Sequence, residues 1–142
     1  MRIERTLLIV KPDGVDRGLV GELLVRVERK GYRIERMKTL VMTRELAEKH
    51  YGEHRGKPFY DELIEYITEG TIVLAVISGE NAIENVRVIM GPTDPLEATP
   101  GSIRGSYATS VTRNLVHGSD SVESAAREIA LFFPEAEQHP GS

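Results

Sequence analysis

At 142 residues and 15.8 kDa the chain is long enough for one domain with a real core, and its net charge of −4 with a pI near 5.6 leaves no global basic field to gather nucleic acid. It contains no cysteine, which excludes disulfides and thiolate metal sites. The longest early apolar run, Leu7 to Val10, is too short for a signal-peptide core or a membrane span, so a cytoplasmic location without membrane contact is expected.

Residues 6–10 form a continuous apolar run of the kind shown by a central strand covered on both faces. The run stops at Lys11-Pro12-Asp13-Gly14. A lysine at a strand end is ordinarily solvated, but the proline and glycine behind it fix the backbone and could aim the ammonium into a site. Residues 18–30 read as a helix, with Leu19, Leu23 and Val27 on one face, Val20 and Leu24 beside them, and Gly31 as its stop. Residues 32–42 are long, mixed and β-leaning, which fits a strand with one wet face.

Two helical stretches occupy residues 43–68. Thr43 can cap the first, to about Tyr51, and Pro58 suits the opening of the second. The second carries an apolar stripe of Phe59, Leu63, Tyr66 and Ile67, ended by Gly70; Tyr66 and Ile67 read as core, and Phe59 as core or as an exposed platform. Residues 71–77 are the next strand, and residues 81–90 return to helix with Ile83, Val86 and Ile89 or Met90 inward and Arg87 on another face. The stretch 91–101 holds three prolines and reads as a stiff loop, a reasonable wall for a site. A short helix over 102–108 and a strand ending at His117 follow.

The order of elements fits a split βαβ plan, βαββαβ with helical insertions, in one domain over residues 1–134. The expected sheet is four-stranded and mostly antiparallel, with one face covered by helices; residues 135–142 are expected to form a loose polar tail. Neither G-x-x-x-x-G-K-[ST] nor G-x-G-x-x-G occurs, so any nucleotide must be held without a glycine cradle, by a local cluster of cations.

The chain is organised around Asn114-Leu115-Val116-His117-Gly118-Ser119-Asp120. Gly118 lets the backbone turn sharply after His117 and leave the imidazole uncovered. Ser119, Asp120 and Ser121 can all cap a helix, and Asp120 with Glu123 has capping-box spacing. The helix that follows places Val122, Ala125, Ala126, Ile129 and Phe133 on one face. A histidine just before a helix N-terminus faces free N–H groups, a place suited to phosphate.

This heptad resembles the active-site signature of the nucleoside diphosphate kinases. The resemblance extends from about Arg5 to Phe133 through Thr6-Leu7-Leu8-Ile9-Val10-Lys11-Pro12-Asp13-Gly14, Arg17-Gly18-Leu19-Val20-Gly21, His50-Tyr51, Lys57-Pro58-Phe59, Gly91-Pro92-Thr93 and Ile103-Arg104-Gly105. It implies a ferredoxin-like α/β sandwich and transfer of the γ-phosphoryl group from a nucleoside triphosphate to a diphosphate through a phosphohistidine, by ping-pong kinetics with broad base and sugar tolerance. His117 would be the nucleophile, with Glu128 and Ser119 orienting or tuning it. Lys11, Tyr51, Arg87, Thr93, Arg104 and Asn114 would surround the phosphates and sugar, and Phe59 would stack on the base, with Val111 on its other side and Leu63 nearby.

The chemistry agrees with those roles. A neutral imidazole can attack phosphorus, and splitting the transfer into two in-line steps lets one site serve both substrates. A loose phosphoryl transition state is stabilised by positioning and by cations such as Lys11, Arg87 and Arg104. Mg²⁺ would bridge the nucleotide's own oxygens, with no metal ligand from a protein side chain. The resemblance implies a homo-oligomer, a hexamer favoured by Pro95 and a tetramer as the alternative, and the short C-terminus looks prokaryotic. Two positions depart from the pattern: Ser106 where an acid is common, and Tyr60 where a second phenylalanine is frequent. Taken singly, each residue has an ordinary explanation: Glu128 as a surface acid, Tyr51 as core, the cations as solvated side chains. A nucleotide-sensing module on the same scaffold would keep Phe59 and the cations but have no use for His117. An RNA-binding module is disfavoured by the acidic balance and 6% aromatic content.

Overall fold

Strand β1 (Ile3–Val10) lies inside a four-stranded sheet because both parities of its sequence are apolar. Leu7 and Ile9 point into one core, Leu8 and Val10 into another, and all four are buried. Strand β3 (Thr71–Glu80) repeats the pattern: Ile72, Leu74 and Val76 join the first core, and Val73, Ala75 and Ile77 the second. With β2 (Arg33–Val41) and β4 (Val116–Gly118), the sheet order is β2-β3-β1-β4 and every pair is antiparallel. The computed structural model describes residues 2–111 and 113–134, so the expected polar tail lies outside the described residues.

Helices cover both faces, not the one expected. Against the first core lie α3 (Arg44–His50), α4 (Tyr60–Thr68) and α7 (Val122–Phe132), through residues such as Ala47, Ile64 and Phe132. Against the second lie α2 (Val20–Arg29), α5 (Ala82–Met90) and α6 (Ile103–Tyr107), through Leu23, Val86 and Ile103. Two strands apolar on both faces leave neither side fit for water. Strand β2 keeps one wetter edge, where Met37 and Val41 are exposed.

Several local expectations shift. A one-turn helix, α1 (Pro12–Asp16), follows β1 directly, and α2 begins at Val20, after Gly18 turns the chain at φ +73°. Thr43 caps α3 as expected, its Oγ1 accepting from Leu46 N at 3.1 Å. Pro58 does not open α4; residues 57–60 make a turn in which Tyr60 N donates to Lys57 O, and the helix starts at Tyr60. Its buried stripe is therefore Tyr60, Ile64 and Ile67 with Tyr66, while Leu63 is half-buried and Phe59 exposed. Ser121, not Asp120, caps α7 by accepting from Ser124 N at 3.0 Å. That helix buries Ala125, Glu128, Ile129 and Phe132 and leaves Val122 and Ala126 outside.

The backbone around the histidine also differs. Gly118 lies within β4 and makes no sharp turn; a Cβ there would come within 2.8 Å of Met90 Cε, the flexible end of a side chain that would have to shift to admit it. The left-handed residue is Leu115, at φ 76°. Its carbonyl oxygen accepts from Lys11 N at 2.8 Å and lies 2.8 Å from where a Cβ on Gly14 would stand. Gly14→Ala is therefore expected to destabilise the protein by about 1–3 kcal/mol, because backbone would have to move. Gly21→Ala, in α2 where an added Cβ would meet nothing within 4 Å among the described residues outside its own helix backbone, is expected to stabilise it by about 0.5–1 kcal/mol. Urea denaturation midpoints should move in opposite directions.

Candidate active site

Strand β4 is three residues long, yet its place is over-determined. His117 sits opposite Ile9 of β1, and Ser119, just past the strand, bonds to β1 through both its backbone and its side chain. Ser119 N donates to Leu7 O at 3.3 Å, and Leu7 N donates to Ser119 Oγ at 3.0 Å. The same hydroxyl donates to Glu128 Oε1 at 2.6 Å, and that oxygen also meets His117 Nε2 at 3.1 Å. Glu128 is thus the buried polar member of the core-facing side of α7. Burial alone would push its carboxyl up, but the hydrogen bonds from His117 and Ser119 and the Arg127 guanidinium hold it below the usual carboxylate range. An ionised carboxylate only accepts, so the shared proton belongs to Nε2, and in the neutral ring Nδ1 keeps the lone pair.

Beside the histidine is a knot of buried donors. Lys11 Nζ donates to Asn114 Oδ1 at 2.9 Å and lies 5.6 Å from the centre of the Tyr66 ring, whose hydroxyl donates to Asp13. Arg104 donates to three main-chain carbonyls: Gly91 at 2.8 Å, Asn114 at 3.3 Å and Val116 at 2.7 Å. A guanidinium has five N–H groups, so two remain for a ligand. Burial, then the neighbouring Arg104, lowers the Lys11 amine to about 7 against the pull of Asp13. Burial, then Arg87, lowers Arg104 to about 10. Arg87 is exposed, with NH1 3.4 Å from Gly118 O.

These groups open on a cleft of about 470 Å³. Of the twelve residues singled out in the sequence, eleven line it: Lys11, Tyr51, Phe59, Leu63, Arg87, Thr93, Arg104, Val111, Asn114, His117 and Glu128. Ser119 stands behind, fully buried. The Tyr51 hydroxyl is buried and has no hydrogen-bond partner among the described residues, and burial, then Glu128, pushes its pKa up. At the mouth, Phe59 and Val111 are 42% and 54% exposed, two apolar side chains open to solvent. The sequence reading missed His50, Glu53, His54, Met90 and Asp120 as lining residues. His50 was visible only as part of the His50-Tyr51 pair, and His54 lies in an irregular stretch where no periodicity points to it. The two departures fall outside this lining: Tyr60 turns into the first core, and Ser106 Oγ donates to Pro100 O.

The sequence profile described as nucleoside diphosphate kinase matches residues 4–138. This chain belongs to the nucleoside diphosphate kinase family. The nucleoside diphosphate kinase of Pelotomaculum thermopropionicum is 57% identical over 131 residues, covering 92% of this chain and 88% of that protein. That of Archaeoglobus fulgidus is 56% identical over 135 residues, covering 95% and 89%. Among solved structures, the apo enzyme of Encephalitozoon cuniculi superimposes with a TM-score of 0.91 at 36% identity, over 94% of this chain and 90% of that one. The Aquifex aeolicus enzyme gives 0.90 at 44% identity, over 93% and 96%. The antiparallel sheet and its helices are the family's ferredoxin-like fold. Transfer of a phosphoryl group from a nucleoside triphosphate to a nucleoside diphosphate is the activity of the nucleoside diphosphate kinase family and of this chain.

The lowered Lys11 amine carries a sign for stability. Between about 7 and the ordinary lysine value of 10.5 the unfolded chain binds the proton that the folded chain has lost. Below about 7 both states carry the charge, and its burial weighs fully on the ligand-free fold. The wild-type protein should therefore gain stability relative to a Lys11→Met variant as pH rises through that window, measured by urea denaturation at a series of pH values.

Proposed function

We propose that His117 carries the phosphoryl group between the two nucleotides. Its Nδ1 forms a bond to the γ-phosphorus as the bond from phosphorus to the β–γ bridging oxygen breaks, and the electron pair leaves on the nucleoside diphosphate. A second diphosphate then attacks phosphorus in line and takes the group, returning the free histidine. The observation that carries this reading is that Nε2 is tied to a buried carboxylate while Nδ1 has no partner among the described residues, in a cleft shared with Lys11, Arg87 and Arg104.

Each remaining residue has a role that its environment supports. Glu128 and Ser119 hold the imidazole in the required tautomer. Lys11, Arg87, Arg104, Thr93, Tyr51 and Asn114 bind phosphate and sugar oxygens, and the unpartnered Tyr51 hydroxyl is satisfied by ligand. Phe59 stacks on the base across from Val111, with Leu63 beneath. Contact with the π-face of a base does not read its edges, so base tolerance is broad. Mg²⁺ would be held by the nucleotide rather than by protein side chains, and would supply charge neutralisation beside Lys11, Arg87 and Arg104. The cleft's concentration of N–H donors and cations suits phosphate oxygens.

The enzyme acts as a homo-oligomer, with a hexamer favoured over a tetramer. Supporting this are bare apolar side chains at Ile3, Met37, Val41 and Val88, and at Leu96, the residue after Pro95, which is 94% exposed. Residues 1–134 form the single domain. The protein works in the cytoplasm; no described helix is long and apolar enough to cross a membrane.

Incubation with γ-labelled ATP and Mg²⁺ should give an acid-labile label on the protein that moves to added GDP. His117→Ala should take none; a labelled mutant would remove His117 from the mechanism. Phe59→Ala should weaken purine and pyrimidine nucleotides alike, by about 1–3 kcal/mol in binding titrations. An effect confined to one base would contradict stacking as the mode of recognition.

A further inference from the structure

His50 ends α3 and is 3% exposed, and neither of its ring nitrogens finds a hydrogen-bond partner among the described residues. A buried donor and acceptor left dry are a costly way to fill space. Three rings surround the imidazole. Tyr51 lies at 4.6 Å and 54°, Phe132 at 5.4 Å and 66°, and His117 at 5.0 Å and 79°, an edge-on contact. The first two ring neighbours come from the end of α3 and from α7, so His50 is clamped by elements of the first core. The third is the imidazole in the cleft.

The contact matters because of what Glu128 alone leaves undone. One hydrogen bond to Nε2 fixes a point on the His117 ring but not its plane, and the torsion that sets the plane of an imidazole is intrinsically broad. In-line attack requires the Nδ1 lone pair, which lies in that plane, to point at phosphorus. We propose that His50 is a positioning residue for phosphoryl transfer: its ring, wedged between Tyr51 and Phe132, meets His117 edge-on and sets the plane in which Nδ1 faces the nucleotide. This rests on the reading of His117 as the phosphoryl carrier. Burial, and after it the cationic or cation-forming neighbours His117, Lys11, Arg127 and His54, hold the His50 pKa well below the usual histidine range. The wedge therefore stays neutral and adds no charge of its own beside the nucleophile.

The experiment compares wild type with His50→Ala, which removes the ring, and His50→Phe, which keeps an aromatic ring and removes the nitrogens. Each protein is checked for its fold by circular dichroism, then phosphorylated with ATP and Mg²⁺, and the phosphohistidine isomer is assigned by ¹H–¹⁵N and ³¹P NMR. Wild type should carry phosphate on Nδ1 alone. A wild type without phosphohistidine would overturn the reading of His117 itself, which separates that failure from failure of the wedge. With the wild type labelled, His50→Ala should lose at least about tenfold in kcat, keep KM within about twofold and give a mixture of Nδ1 and Nε2 phosphohistidine. His50→Phe should restore the single isomer and recover most of the rate. A folded His50→Ala that labels only Nδ1 at the wild-type rate overturns the proposal, as does a folded His50→Phe that behaves like His50→Ala. Loss of the fold in both variants also overturns it, because His50 would then be a packing residue.

Discussion

One buried guanidinium ties together the segments that make the floor of the cleft. Arg104 donates to the carbonyls of Gly91, Asn114 and Val116, which belong to the end of α5, the turn before β4 and β4 itself. Asn114 in turn takes the Lys11 ammonium, so the ends of β1 and β4 are held through two linked polar groups. Ser102, two residues before Arg104, caps α6 by accepting from Gly105 N at 3.1 Å, which fixes the helix that presents the guanidinium. The arrangement concentrates positive charge: Lys11 and Arg104 both lie below their ordinary pKa values, with burial as the first cause and a neighbouring cation as the second. Such a floor is electrostatically unfinished without an anion. In the proposed reading, a bound phosphate would supply that charge.

The mouth of the cleft is built on the opposite plan. Phe59, Thr93 and Val111 are exposed and come from connections rather than from strands or helix interiors. In the proposed reading, chemistry falls to groups held in the core and recognition of the base to Phe59 and Val111, which make no polar demands, while Thr93 meets phosphate or sugar. The floor must hold its geometry to fractions of an ångström, whereas a stacking platform tolerates different rings.

Much of this was legible in the sequence for identifiable reasons. Strand β1 announced itself because residues 6–10 are apolar at both parities, and the cation and histidine positions stood out because Lys11, Arg104 and His117 each border glycines or prolines. What stayed hidden is equally specific. Helix α1 is one turn long and contains Asp13 and Gly14, which read as a turn. Leu115 adopts a left-handed conformation, which leucine never signals. Pro58 is well suited to a helix start, but the chain uses it in a turn two residues before Tyr60. Ser119, Asp120 and Ser121 are all competent caps, and only the observed extended backbone at Ser121 decides between them. The coverage of both faces was implicit in β1 and β3, yet the order of elements alone suggested a single helical layer. His50 and His54 join the cleft through ring contacts and loop geometry that exist only after the chain has folded.

The span of the contacts around Lys11 bears on how the protein comes to exist. Lys11 leaves β1 within the first dozen residues, but its partner Asn114 is 103 positions later, and Leu7 waits for Ser119 across 112. Closing loops of that length costs entropy before any contact rewards it, and long-range antiparallel pairing is slow for the same reason. During synthesis, then, the amino-terminal strand leaves the ribosome with its charged end unanswered. The cation floor is assembled only when nearly the last element has docked, so a chain that presents Lys11 against Asn114 is one that has finished folding.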